Sequence, residues 1–339
     1  MGFHRNEISV KAKGGTELMR DLLESRLSPE LLDNFQIFMS RPRDFDYTKI
    51  RIIQCHDLAE DPESAKFRDQ EFRDSFHKLV FISNWQYQRY QLIHNIPYND
   101  NSIVLETGIE PAFSNLNGED FHQYKDKEKI RLVYTSTPQR GLDILVPVFE
   151  TLAEKNPNIH LDVFSSFKIY GWDDADKQFE PLYDRIRNHP QMTYHGFTSN
   201  DKLREHLQKC HIFAYPSTWL ETSCRAMLEA MSAGLVCVHP NYGALAETSG
   251  CLNVMYQGDI QDKNRHAQIF AGYLQSAINF VKEDQHISMT RFNKTFVDSR
   301  FNIDVIVNRW EMMLKDLLKK YPTVESRQKK EQVFKYKVL

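Results

Sequence analysis

The sequence predicts an α/β protein made of two doubly wound lobes. Three observations carry this. Short continuous apolar runs bounded by polar breaks recur along the chain, segments with helical apolar spacing lie between them, and one irregular stretch divides the series. A chain of 339 residues is long for a single hydrophobic core and suits two. Unbroken apolar strands alternating with helices indicate parallel sheets covered on both faces.

In the first lobe the strand-like runs are FQIFMS (35–40), IRIIQCH (50–56), KLVFISN (78–84) and NSIVLET (101–107). In the second they are IRLVYTS (130–136), HLDVFSS (160–166), MTYHG (192–196), IFAYPS (212–217) and LVCVHP (235–240). GTELMRDLLESRL, LDILVPVFETLAEK and DKLREHLQKCH have helical spacing. The stretch 111–129 combines Pro, Gly, Asn and charge without a period. The expected organisation is a first domain over 1–120, a linker over 121–128, a second domain over 129–302, and a terminal helix with basic tail over 303–339. The helix IDVIVNRWEMMLKDLLKK is free by pattern to pack on either lobe, including back on the first.

Composition narrows the function. Hydrophobic residues are 41%, charged residues 26%, and the net charge is −3. That is globular, with no global basic field to recruit nucleic acid. The five cysteines form no CxxC pair, so they read as buried small hydrophobes in a reducing compartment. No apolar leader and no 18-residue apolar run occur, so a cytoplasmic protein is expected. The tail reads as a solvated end, with weak contact to an anionic membrane surface as the alternative. No GxGxxG occurs, which disfavours a nicotinamide dehydrogenase.

PSTWLETSCRAMLEAMSAG (216–234) poses the functional question. On one helix, Glu221 and Glu229 would stand about 12 Å apart along the axis and roughly 80° apart around it. Unpaired amides at about Thr222, Ser223 and Cys224 would lie between them and suit an anion. Carboxylates accept paired hydrogen bonds from diols, so the layout fits hexose, pyrophosphate and ribose in a row. On spacing alone, Glu221 is equally a favourable acidic residue at a helix start, and Glu229 an exposed helix glutamate.

YPSTWLETSCRAMLEAMSAGLVCVHPNYGALAE resembles the signature of retaining glycosyltransferases of family 4, together with LVYTSTPQRGLDIL, YHGFTSNDKL and CHIFAYPS. The likeness covers about 130–250. The motif positions are Pro216, Ser217, Glu221, Glu229, Ala230, Met231, Gly234, Gly243 and Glu247. The resemblance implies a GT-B fold, with two Rossmann-like domains facing across a cleft, and sugar transfer from a nucleotide sugar with retention. It implies that Glu229 holds the ribose, Glu221 the donor hydroxyls, amides of Thr222, Ser223 and Cys224 the sugar and phosphates, and Arg140 the pyrophosphate. It also implies no metal and no cofactor beyond the substrate. Thr135 stands where many relatives carry a second arginine; Lys168 and Arg225 are the candidate substitutes.

In the first lobe, KGGTELM resembles the glycine loop near the donor phosphates, through Gly14 and Gly15, and is equally a plain turn. His56, ending IRIIQCH, resembles the family's pocket histidine and is equally a structural one. Asp57 reads as a cap. Ser83, Asn84 and Trp85 fall at a strand end. DDAD (173–176) reads as a solvated acidic loop. The expected acceptor is a glycan, a lipid-linked acceptor or a small molecule. A nucleotide-sugar epimerase of the same fold and a non-catalytic glycan- or nucleotide-binding module remain open.

Overall fold

Val, Ile and Phe in unbroken runs form strands here because a parallel sheet buries both faces, so no polar alternation is needed. The computed structural model describes residues 2–4, 12–99, 101–114 and 120–328. They fall into two compact units, one formed by residues 2–4, Thr16–Glu106 and the chain from Ile306 on, the other by residues 12–15 and Thr107–Val305.

The first unit is built on β1 (Phe35–Met39), β2 (Ile50–Cys55), β3 (Lys78–Phe81) and β4 (Ser102–Val104), paired in that order and all parallel. The helix Gly15–Arg26 buries Met19 and Leu23. Asn84–His94 begins where the Ser83 hydroxyl accepts the Gln86 N–H, a side-chain cap on an otherwise orphan donor. Phe38, Ile53, Leu79, Phe81 and Tyr90 form one core on the sheet. The terminal helix Ile303–Lys320 is grouped, from Ile306 on, with this unit. Its Trp310 is fully buried, and Arg327 beyond it donates to Thr48 O and Asn34 Oδ1. Most of the basic tail, from 329 on, lies outside the described residues.

The second unit holds β5 (Ile130–Thr135), β6 (Ile159–Phe164), β7 (Met192–Tyr194), β8 (Ile212–Ala214), β9 (Val236–Pro240) and β10 (Val254–Tyr256). They run parallel in the order β10-β9-β8-β5-β6-β7. Counted from β5, this is the doubly wound order 3-2-1-4-5-6, in which the winding reverses between β5 and β8. β10, at the edge of the sheet with Val254 and Met255 only half-buried, was not among the expected strands.

The segment expected to be a linker, 121–128, is packed into the second unit. The Phe121 ring lies where a Cβ on Gly234 (φ +70°) would stand 2.0 Å away. Lys125 is buried and its ammonium donates to the backbone oxygens of Cys210 and Ala233. Burial pushes its pKa down to about 7. Between there and the ordinary lysine value the unfolded chain binds more protons than the folded one, so this residue's contribution to stability rises with pH. Urea denaturation at pH 7, 8 and 9 is expected to give wild type a slope up to about 1.4 kcal/mol per pH unit more positive than Lys125→Met. Equal slopes would show that Lys125 does not titrate there.

Candidate functional site

In open α/β sheets the crevice for a ligand lies beyond the carboxyl ends of the strands where the winding reverses. Here that place is formed by the turn after β5, residues 136–141, and the loop after β8, residues 215–224. The two loops touch backbone to backbone. Gly141 has φ +106°, and a Cβ on it would lie 2.2 Å from Pro216 O, so glycine alone meets the geometry.

The contact delivers Arg140 to Glu221. Arg140 Nη1 donates to Glu221 Oε1 at 2.8 Å, and the Tyr215 hydroxyl donates to the same oxygen at 2.6 Å. Glu221 Oε2 accepts no hydrogen bond among the described residues. The Glu221 side chain is 5% exposed and that of Arg140 22%. Burial works against the charge on Arg140, but the Glu221 carboxylate together with Tyr215 and Tyr170 outweighs it and holds the guanidinium above its ordinary range. Burial, reinforced by Glu221, keeps the Tyr215 phenol protonated and therefore a donor. The exposed Trp219 indole lies 5.6 Å from the Arg140 guanidinium.

Glu221 does not sit on the helix, as its spacing from Glu229 had implied. The helix runs Arg225–Ser232. Glu221 is held off it by tertiary contacts: Ala244 N donates to Glu221 O at 2.8 Å, and a Cβ on Gly243 would lie 2.7 Å from both Glu221 N and O. Thr222, Ser223 and Cys224 are accordingly loop residues. Cys224 N donates to Thr248 Oγ1 at 3.4 Å, and Ser223 Oγ lies 3.2 Å from Thr107 Oγ1. The orphan N–H groups of the helix start belong to Arg225 and the residues after it.

Glu229 is on the helix and is buried, which removes the exposed-glutamate reading. Its Oε1 accepts from Arg225 Nε at 3.1 Å and Asn200 Nδ2 at 3.3 Å, while Oε2 accepts from no described residue. Arg225 also donates to Gly108 O, so it is committed, and Lys168 is solvent-exposed. Tyr215, Gly141 and Asn200 were missed by sequence reasoning. The aromatic ending IFAYPS and the glycine after Arg140 were the available signals.

His56, Gly14 and Gly15 lie apart in the chain from these loops. His56 follows β2, and its N–H donates to Ser40 Oγ at 2.7 Å. Burial pushes its pKa to about 4, so the ring is neutral at physiological pH. Asp57 pairs with Arg41 rather than capping a helix. Gly15 opens its helix, and nothing lies within 4 Å of where its Cβ would be, so the chain's own packing does not demand a glycine. Trp85 packs 6.0 Å from the Arg89 guanidinium.

Among the described residues, Asp162, His206 and Cys210 bring possible metal-donor atoms within 4.8 Å of one another. Arg131 Nη1 already donates to Asp162 at 3.0 Å and His195 Nε2 sits 2.9 Å from it, so the group is built as an ion-paired cluster. In DDAD, Asp176 is buried rather than solvated and accepts from Phe167 N at 2.9 Å and the Tyr183 hydroxyl at 3.0 Å.

Two parallel α/β units in one chain, the second doubly wound, have the GT-B fold of the solved glycosyltransferases to which the chain is similar. Residues 117–279 match the family described as glycosyl transferases group 1. No curated protein sequence matches the chain. Among solved structures, the chain is similar to a glycosyltransferase from Rickettsia africae ESF-5 at 14% identity and a TM-score of 0.67, over 93% of this chain and 84% of that one. HepE of Anabaena, in complex with UDP-glucose, gives 14% identity and a TM-score of 0.57, over 88% and 82%. Sucrose-phosphate synthase from Thermosynechococcus elongatus gives 13% and 0.59, over 90% and 79%. Likeness at these identities is a statement about the fold. Among the described residues, no helix is long and apolar enough to cross a membrane.

Proposed function

We propose that the protein transfers a glycosyl group from a nucleotide sugar to an acceptor hydroxyl, with retention at the anomeric carbon. The observation that supports this most is the pair of half-buried Arg140 and buried Glu221 at the point where the winding reverses, made by the two loops that follow β5 and β8. In this reading the guanidinium stabilises charge on the departing diphosphate, an interaction stronger in the transition state than in the ground state. Glu221, one oxygen anchored and the other open, receives donor-sugar hydroxyls. Glu229 Oε2 receives the ribose. Backbone amides of Thr222 and Ser223 face the sugar and phosphates, Gly14 and Gly15 allow close approach of the donor, and neutral His56 offers a hydrogen bond to the sugar.

The acceptor attacks the face that the diphosphate leaves, and a phosphate oxygen takes its proton. The nucleotide sugar is substrate, and no resident cofactor or metal has a role. The HepE structure holds UDP-glucose, so UDP-sugars are the first donors to try. The acceptor class is a glycan, a lipid-linked acceptor or a small molecule.

Calorimetry with UDP, GDP and ADP, followed by a transfer assay, tests the reading. Glu229→Ala is expected to weaken nucleotide binding about 10- to 100-fold, the scale of hydrogen bonds to a charged group. Glu221→Ala is expected to act mainly on kcat. Because Glu229 neutralises Arg225, Glu229→Gln serves as the variant that keeps the packing. Equal affinity in wild type and both Glu229 variants would overturn the assignment.

A further inference from the structure

The turn after β5 carries more unused hydrogen-bonding capacity than its own folding accounts for. Thr135 and Thr137 are 8% and 4% exposed. The side-chain oxygens of both are buried and make no hydrogen bond. Thr137 occupies the N-cap position of the short 3-10 turn Pro138–Arg140, where a threonine hydroxyl ordinarily accepts a backbone N–H, and it makes no such bond. Arg140 Nε is likewise buried and unpartnered, as is Gln139 Oε1. Four orphan polar atoms therefore arise from residues 135–140. A buried polar group without a partner costs about 1–3 kcal/mol, and native proteins hold few of them. Several on one turn, at the crevice of a doubly wound sheet, point to a ligand that completes them.

The donors and the local charge indicate which part of the ligand. Arg140 has its charge largely balanced by Glu221. Arg225 is committed to Glu229 and Gly108, and Lys168 is exposed. A diphosphate here meets one half-neutralised guanidinium, so the remaining acceptor oxygens need neutral donors. Hydroxyl hydrogen bonds to an anionic oxygen are short and strong. We infer that the Thr135 and Thr137 hydroxyls, with Arg140 Nε, donate to the diphosphate of the bound nucleotide. Gln139 Oε1, an acceptor, faces a hydroxyl of the same ligand. The inference rests on the proposed function and adds two binding residues that the proposal does not use.

Valine keeps the shape of threonine and removes the hydroxyl. Thr135→Val, Thr137→Val and the double variant are titrated with UDP, GDP and ADP and, for each that wild type binds, with the matching nucleoside. Each single change is expected to weaken diphosphate binding about tenfold and the double change more, with nucleoside affinity unchanged. Thermal midpoints are expected to stay level or rise, since a buried orphan is removed. Wild type that binds none of the three diphosphates overturns the proposed function, and this inference with it. Wild type that binds one, with the double variant binding it equally well, overturns the inference alone. A parallel loss of nucleoside affinity and thermal midpoint would assign both threonines a structural role and also overturn it.

Discussion

Arg140→Ala is expected to lower kcat by about two to three orders of magnitude, the usual cost of deleting a preorganised group that stabilises transition-state charge. The structure gives the reason for so large an effect. Arg140 is fixed by Glu221 Oε1, and that oxygen is itself fixed by the Tyr215 hydroxyl, so the guanidinium pays little reorganisation when charge develops. Glu221 is 4% exposed, and deleting its cation leaves a buried carboxylate with one neutral donor, a change that costs about 3–5 kcal/mol in comparable pairs. Activity and folding therefore have to be separated. Arg140→Lys keeps the charge but loses the planar fork, and is expected to hold the fold while recovering only part of the rate. The paired variant Arg140→Met with Glu221→Gln removes both charges and is expected to restore the melting temperature without restoring turnover. Steady-state kinetics beside thermal melts decide the matter. An Arg140→Ala enzyme that is folded and within threefold of wild type in kcat would rule out the guanidinium as the charge-stabilising group.

Gly141→Ala is expected to be the most damaging single methyl addition in the second unit. The new carbon would stand 2.2 Å from Pro216 O and 2.8 Å from Pro216 C. Those atoms are backbone, so no side chain can swing away. The residue also adopts φ +106°, where an L side chain adds about 1–3 kcal/mol of strain. Relief requires the turn after β5 to separate from the loop after β8, and that separation pulls Arg140 from Glu221. The expected result is a loss of more than about 3 kcal/mol in urea denaturation, in the range reserved for named packing failures, together with loss of transfer. A Gly141→Ala protein with a wild-type midpoint would mean that the two loops do not meet as described.

Most of the parts were legible in the sequence. The runs 35–40, 50–56 and 130–136 became β1, β2 and β5, because an apolar run reports local burial whatever its partner. The helix Ile303–Lys320 agrees with its periodicity end to end. β10 was hidden because an edge strand, half-buried at Val254 and Met255, needs no continuous apolar run. Glu221 was misplaced because helical spacing continues through ETSC, and the partners that hold it in a loop, Gly243 and Ala244, come more than twenty residues later.

By itself, then, the sequence determined the alternation of strand and helix, and which residues carry charge near the ends of apolar runs. Only the tertiary structure decided that Arg140 meets Glu221, 81 positions on. That meeting depends on β5 lying beside β8 in the sheet, and strand order is a property of long-range pairing that no local pattern encodes. The same holds for the unpartnered hydroxyls of Thr135 and Thr137, because whether a buried hydroxyl finds a partner is settled by everything folded around it.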